Sequence, residues 1–353
     1  MDTISFARGV PAPECLPVEE LADCAKTVLE RDGKTILSYG TGAGYTPLRE
    51  LIGQWFNVHP FQVVITNGGL QGFVLLAERM ARHQTVFVEA PTYDRPLKIL
   101  LSKGASLVTL TMDDHGVLPQ EFEDQLRVTP GSPAFFYTIP TFQNPTGRTA
   151  PVERRQQILS IAQTRGIQIV EDDPYGLVRF EGESVPAYFD LSGQTTIYTS
   201  SFSKTISPGL RVGFTILPGD MAGGMIEDAN STYISPVLLG QAIVYEYITR
   251  GLFEPNLRRI NDLLKLRRDA MLAALAKHMP EARWSHPEGG YFIWLELPAG
   301  NVAKQVMERA QGVTAVLGTD FGGSGTSLRL AYSFVTPDEI DAGIERLAAA
   351  LEG

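Results

Sequence analysis

Between residues 61 and 217, short β-rich runs alternate with amphipathic segments, and that alternation constrains the fold more than any other feature of the chain. Runs at 61–66, 85–89, 107–110, 134–139, 168–171, 196–198 and 212–217 carry the branched and aromatic residues of strands. Between them, 70–82, 93–102, 120–126 and 152–165 repeat apolar residues at helical spacing, several stopped by a glycine such as Gly104 or Gly166. Strand, helix and strand in this order imply parallel pairing with helical crossovers. The expected fold class is therefore α/β, a mostly parallel central sheet with helices on both faces. Val64, Val86, Val88, Phe135, Phe136, Ile169 and Val170 are its expected core.

An earlier helix runs from about residue 18 and ends at Gly33. After Ser235-Pro236 the character changes, with long helices at 237–249 and 254–278. The second is crowded with Arg258, Arg259, Lys265, Arg267 and Arg268, which reads as a solvated face. A strand pair around 289–295, a helix at 302–310, a strand at 327–332 and a final helix opened by Thr336-Pro337-Asp338-Glu339 complete a smaller α+β unit. At 353 residues the chain is too long for one compact core. The expected division is a large domain at 36–252, a small domain at 253–353, and an N-terminal arm and helix at 1–35 joining the small one.

Thirty basic against forty acidic residues give a net charge of -10, which repels nucleic acid and anionic membranes. No apolar stretch has membrane length, and no secretory signal opens the chain. Cys15 and Cys24 cannot build a disulfide framework, so a reduced cytoplasm is expected. His59, His83, His115, His278 and His286 lack ligand spacing, and no metal is expected.

The chemistry gathers at the ends of the strands, where open α/β sheets bind ligands. Lys204 lies among Ser200, Ser201, Phe202 and Ser203, followed by a Ser-Pro-Gly turn, Arg211 and an apolar strand. Ser201, Ser203 and Arg211 can hold a phosphate dianion by charge-assisted hydrogen bonds beside a lysine Schiff base. The combination reads as a pyridoxal 5′-phosphate site; a solvated lysine in a polar loop is the plain alternative. Asn67-Gly68-Gly69-Leu70-Gln71-Gly72 presents bare amides to an anion, or is simply a strand-to-helix turn. Gly40-Thr41-Gly42-Ala43-Gly44 lacks the spacing of a dinucleotide fingerprint. Glu171-Asp172-Asp173-Pro174-Tyr175 ends a strand with carboxylates able to keep a pyridine nitrogen protonated. Asn144, between Gln143 and Pro145, offers a donor to a phenolic oxygen, and Tyr93 an aromatic face for a flat ring.

In this order, Tyr39, Gly69-Leu70, Tyr93, Asn144-Pro145-Thr146-Gly147, Asp172-Asp173-Pro174-Tyr175, Ser201-Phe202-Ser203-Lys204 with Arg211, and Leu328-Arg329-Leu330 form a recognisable set. Over almost its whole length the chain resembles the fold type I pyridoxal-phosphate aminotransferases of class I and II. It is most similar to the branch acting on aminoadipate, kynurenine, aromatic and branched-chain amino acids. The resemblance implies transfer of an amino group from an L-amino acid to a 2-oxo acid, 2-oxoglutarate first among them, by a ping-pong route. It implies that Lys204 forms the Schiff base, that Asp172 faces the pyridine nitrogen, and that Tyr175 and Asn144 address the phenolic oxygen. Tyr93 would stack on the ring, while Ser201, Ser203, Arg211, Gly69 and Leu70 would cradle the phosphate. Arg329 resembles the arginine that clamps the substrate α-carboxylate, with Gly9 and Asn144 beside the substrate. Tyr39 is similar to a tyrosine offered across the interface of a homodimer to the neighbouring cofactor.

In this branch a leader helix normally precedes the opening segment, which here is Phe6 to Glu14 and starts almost at the first residue. Arg8 stands where relatives carry a small residue and is a candidate for the distal carboxylate of glutamate or aminoadipate. Two other functions suit the same motifs: a lyase or decarboxylase on the same cofactor, and a non-enzymatic regulator, for which the net charge is wrong and the segment before Phe6 too short.

Overall fold

The computed structural model describes residues 3–351. The chain opens with a short strand β1 (Ile4–Ser5) and helices α1 (Val18–Ile36) and α2 (Thr46–Phe56). Eight strands then build the central sheet: β2 (Val63–Thr66), β3 (Thr85–Ala90), β4 (Ser106–Asp113), β5 (Gly116–Val117), β6 (Phe135–Thr138), β7 (Ile169–Asp172), β8 (Ile197–Ser201) and β9 (Gly213–Ile216). Their order in space is β2-β9-β8-β7-β6-β3-β4-β5. Strands β8, β7, β6, β3 and β4 run parallel, while β9 is antiparallel to both neighbours and β5 to β4.

The connections are α3 (Gly69–Leu76), α4 (Asp94–Ser102), α5 (Pro119–Val128), α6 (Val152–Arg165) and α7 (Tyr188–Leu191), with α8 (Met221–Tyr233) and α9 (Leu238–Thr249) after the last strand. Side chains alternate across a strand, so each strand feeds two cores. Val86, Val88, Phe135 and Tyr137 meet Phe73, Leu100 and Met225 on one face. Phe87, Phe136 and Ile169 meet Phe122, Ile158 and Leu159 on the other. All the core residues expected from the sequence are buried.

The smaller unit holds α10 (Phe253–His278), β10 (Arg283–Trp284), β11 (Phe292–Glu296), α11 (Ala303–Arg309), β12 (Val313–Thr314), β13 (Val316–Leu317), β14 (Ser327–Ala331) and α12 (Pro337–Ala349). Its sheet is antiparallel in the order β10-β11-β14-β13. Thr336 and Glu339 close the expected capping box on α12. Strand β1 pairs with β12.

Three readings change. Ile4, Phe6 and Cys15 pack into the small unit's core, whereas Cys24, Val28 and Ile36 of α1 pack with Ala242 and Val244 of α9, so the grouping of all of 1–35 with the small unit is corrected. Arg267 and Arg268 are buried, not solvated: Arg267 donates to Ser333 O and pairs with Glu14, and Arg268 donates to Pro287 O and pairs with Glu181. Helices α2 and α8 have no counterpart in the sequence reading. Gly53 in α2 and Gly223-Gly224 in α8 weaken the local helical signal, and packing supplies the stability instead.

Phe136 is fully buried and its ring lies 5.2 Å from that of Phe122. Phe136→Ala is expected to cost about 3–5 kcal/mol of folding stability. The check is the midpoint of urea unfolding, which should fall; an unchanged midpoint would contradict this packing.

Candidate active site

The carboxyl ends of the parallel strands open on a cavity of about 880 Å³, closed on its far side by the small unit. Asp172 ends β7, Asn144 follows β6, and Tyr93 follows β3. Ser201 ends β8, with Ser203 and Lys204 in the turn beyond it. That turn is anchored because Phe202 and Ile206 dip into the apolar core on either side of Lys204. Gly69 and Leu70 line the cavity from the start of α3, and Arg211 from the turn before β9. The small unit contributes Phe292, Phe321 and Arg329, and the N-terminal arm contributes Gly9 and Val10.

One end of the cavity is built for an anion. Gly68 has φ of 85° and gives α3 no side-chain cap, which leaves the first amides of the helix available. A Cβ on Gly68 would collide with Arg211 Nη2, and one on Gly213 would collide with Gly69 N. Only glycines allow the guanidinium, the helix start and β9 to approach this closely. Arg211 itself donates to Asn67 O at 3.1 Å and remains exposed at the mouth.

Lys204 Nζ donates to Gly9 O at 2.8 Å and lies 5.0 Å from the ring centre of Tyr291 and 5.7 Å from that of Tyr175. What surface it keeps faces the cavity. Burial, and then the positive charge of Arg329, lower its pKa to about 8. Asp172 accepts from Tyr137 Oη at 2.7 Å. Burial raises its pKa to about 7, helped by the charges of Asp173 and Glu89 and opposed by the Tyr137 bond. Asp173 points elsewhere, accepting from Gly176 N and Tyr198 Oη. Burial also raises the hydroxyls of Tyr93 and Tyr175, which therefore stay neutral.

Arg329 is buried, its guanidinium 4.3 Å from the ring centre of Phe292 and 4.8 Å from that of Phe321. Nη1 donates to Asn144 Oδ1 and Nη2 to Ala7 O, each at 2.9 Å, while Nε is buried without a partner. Behind Asn144, Gln143 accepts from Thr146 and donates to Glu89 and Pro91 O, which fixes the loop.

Two candidates from the sequence lie outside the cavity lining. Tyr39 is 84% exposed. Arg8 is exposed, and its guanidinium lies 4.4 Å from the ring centre of Phe334, a cation–π contact outside that lining. Sequence reasoning did not single out Tyr137, Phe292 or Phe321. Tyr137 carried a signal, since period-two alternation sets it on the same face as Phe135.

A family model described as aminotransferase class I and II matches residues 3–347. The 2-aminoadipate transaminase of Thermus thermophilus is 34% identical, covering 99% of this chain and 90% of that protein. Aromatic-amino-acid aminotransferase 1 of Thermococcus litoralis is also 34% identical, covering 99% of this chain and 88% of its own. Among solved structures, LysN, the alpha-aminoadipate aminotransferase from Thermus thermophilus complexed with N-(5'-phosphopyridoxyl)-L-leucine, matches with a TM-score of 0.93 at 34% identity, over 99% of this chain and 92% of that one. The chain belongs to the class I and II aminotransferases and is a transaminase.

The residues present fit pyridoxal 5′-phosphate. A lysine with a lowered pKa, a carboxylate, a tyrosine ring, and a guanidinium brought against a bare helix start where a single Cβ would collide all border one cavity. Gly213→Ala is expected to cost about 1–3 kcal/mol through overpacking, whereas Gly223→Ala, whose Cβ would meet only Phe61 at 3.6 Å, should not destabilise. Thermal unfolding of both variants compares them, and equal melting temperatures would contradict the close approach at Gly69.

Proposed function

We propose that this transaminase moves the amino group of an L-amino acid to 2-oxoglutarate, through Lys204 and in two half-reactions that use the same cavity in turn. Pyridoxal 5′-phosphate is the cofactor. When bound, it supplies an aldehyde that condenses with primary amines and a ring that draws electrons from the substrate's Cα.

The carrying observation is that Lys204, Asp172 and Arg329 border one cavity, with Arg329 Nε buried and unpartnered. Arg329 offers a planar fork to the substrate α-carboxylate, and Asn144 and the two phenylalanine rings keep that fork rigid. Lys204 Nζ, once free, takes the proton from Cα and returns it one atom further on; a lowered pKa suits both tasks near neutral pH. Asp172 addresses the pyridine nitrogen, Tyr93 stacks on the ring, and Asn144 and Tyr175 meet the phenolic oxygen. Ser201, Ser203, Arg211 and the amides of Gly69 and Leu70 hold the phosphate. Gly9 lies beside the substrate, its carbonyl already on Lys204. The relatives act, by their names, on 2-aminoadipate and aromatic amino acids, which supports a large side chain in the donor.

A homodimer completes the reading. Leu37, Tyr39, Ile234 and Val237 are large, apolar and exposed, and Gly40 N donates to Ser235 Oγ, which ties these segments together. Such a patch supports an interface through which Tyr39 reaches the partner's cofactor. The large domain at 36–252 takes α1 as well, and the small domain at 253–353 takes the arm. Among the described residues no helix is long and apolar enough to cross a membrane. Cys15 and Cys24 are buried free thiols, which supports a cytoplasmic setting.

A panel of amino donors against 2-oxoglutarate, with glutamate as the measured product, tests the function; release of ammonia and oxo acid without an acceptor would point to a lyase instead. Lys204→Ala should abolish turnover, and normal activity in that variant would refute the assignment. The neutral amine is the nucleophile, so a lowered pKa moves its full reactivity to lower pH. Reconstitution of the apoenzyme should quicken from pH 7 and level off above about 8. A rate still climbing steeply at pH 10 would contradict the buried setting of Lys204.

A further inference from the structure

Asp172 is held by a residue that the reaction itself does not require. Strands β6 and β7 are in a register that sets Tyr137 opposite Val170, so Asp172 lies two residues further along the same face. A tyrosine spans that diagonal, and its hydroxyl donates to Asp172 Oδ2 at 2.7 Å. Among the described residues no other group donates to this carboxylate. Tyr137 is fully buried, and its ring packs edge-on against Phe73 of α3, with 5.0 Å between ring centres. The hydroxyl therefore cannot swing away. Phe73 is on the helix whose first residues form the anion cradle, so one ring ties the two ends of the site together.

We propose that Tyr137 is the positioning residue for Asp172: by donating to Oδ2 it fixes the plane of the carboxylate and leaves Oδ1 free to meet the pyridine nitrogen of the cofactor. This rests on the reading of Asp172 given above. The bond also acts on charge. Asp173 beyond the same strand and Glu89 on β3 disfavour a second negative charge at Asp172, and Tyr93 and Tyr175 face it as neutral hydroxyls. Burial and the adjacent Asp172 hold the Tyr137 hydroxyl well above its usual range, so it stays a donor. Among the described residues it is the one contact that favours the ionised carboxylate, which a protonated pyridine needs as its partner.

Tyr137→Phe removes the hydroxyl and keeps the ring on Phe73. The apoenzyme's affinity for pyridoxal 5′-phosphate, measured by titration, is expected to fall about tenfold, as is kcat of the amino-donor half-reaction. KM for the donor should hold, because Arg329 is untouched. The acid limb of the kcat–pH profile should move to higher pH, since the carboxylate loses the bond that favours its charged form. Asp172→Asn serves as the reference and should be more severely impaired. If Asp172→Asn is impaired while Tyr137→Phe keeps wild-type affinity, kcat and pH profile, the positioning role is overturned and the role of Asp172 stands. A Tyr137→Phe variant with raised KM and unchanged cofactor affinity and pH profile would show a merely structural part and also overturn it. Full activity in Asp172→Asn would overturn both.

Discussion

Two cations, Lys204 and Arg329, share one desolvated cavity, and among the described residues no carboxylate pairs with either. Elsewhere in the fold buried guanidiniums have acidic partners: Arg155 lies 3.7 Å from Glu171, Arg267 meets Glu14, and Arg268 meets Glu181. At the active site that partner is withheld, and the cations are steadied instead by carbonyls and aromatic faces. An unpaired buried cation is costly. The cost is relieved when an anionic substrate or a phosphorylated cofactor enters, so the site is preorganised for negative charge. Burial, with the charge of Arg329, lowers Lys204 to about 8, the range that the proposed proton transfer needs near neutral pH.

The sheet makes this arrangement rigid. Asp172 ends β7, Asn144 and Lys204 follow within a few residues of the ends of β6 and β8, and Arg329 lies within β14, so each is tied to a strand whose backbone has little freedom. The N-terminal arm closes the cavity along a ladder of its own carbonyls. Phe6 O accepts from Ala331 N, Ala7 O from Arg329, Gly9 O from Lys204 and Val10 O from Ser333 Oγ. One extended segment thus touches both cations and binds them to the small unit's sheet.

Much of this was legible in the sequence because it depends on local pattern. Alternating strand and helix signals mark the parallel sheet, and residues at strand ends fall at the ligand face whatever the exact boundaries. That is why Asp172, Asn144, Tyr93 and Lys204 could be named together. What escaped depends on register or on distant partners. Tyr137 reaches Asp172 only because β6 and β7 pair in one particular offset. Arg267 and Arg268 looked solvated because their acceptors, Ser333 O and Pro287 O, are far away in sequence or beyond the helix end. Arg8 was drawn to Phe334, a contact between opposite ends of the chain. Helices α2 and α8 hid behind their glycines, since tertiary packing and not propensity holds them.

The central claim is that Lys204 is the amine joined to the cofactor, and covalent trapping tests it most directly. The holoenzyme would be reduced with borohydride, digested, and its peptides mapped by mass. The account predicts one phosphopyridoxyl adduct, on the peptide containing Lys204. An adduct on another lysine, with Lys204 unmodified, would contradict it.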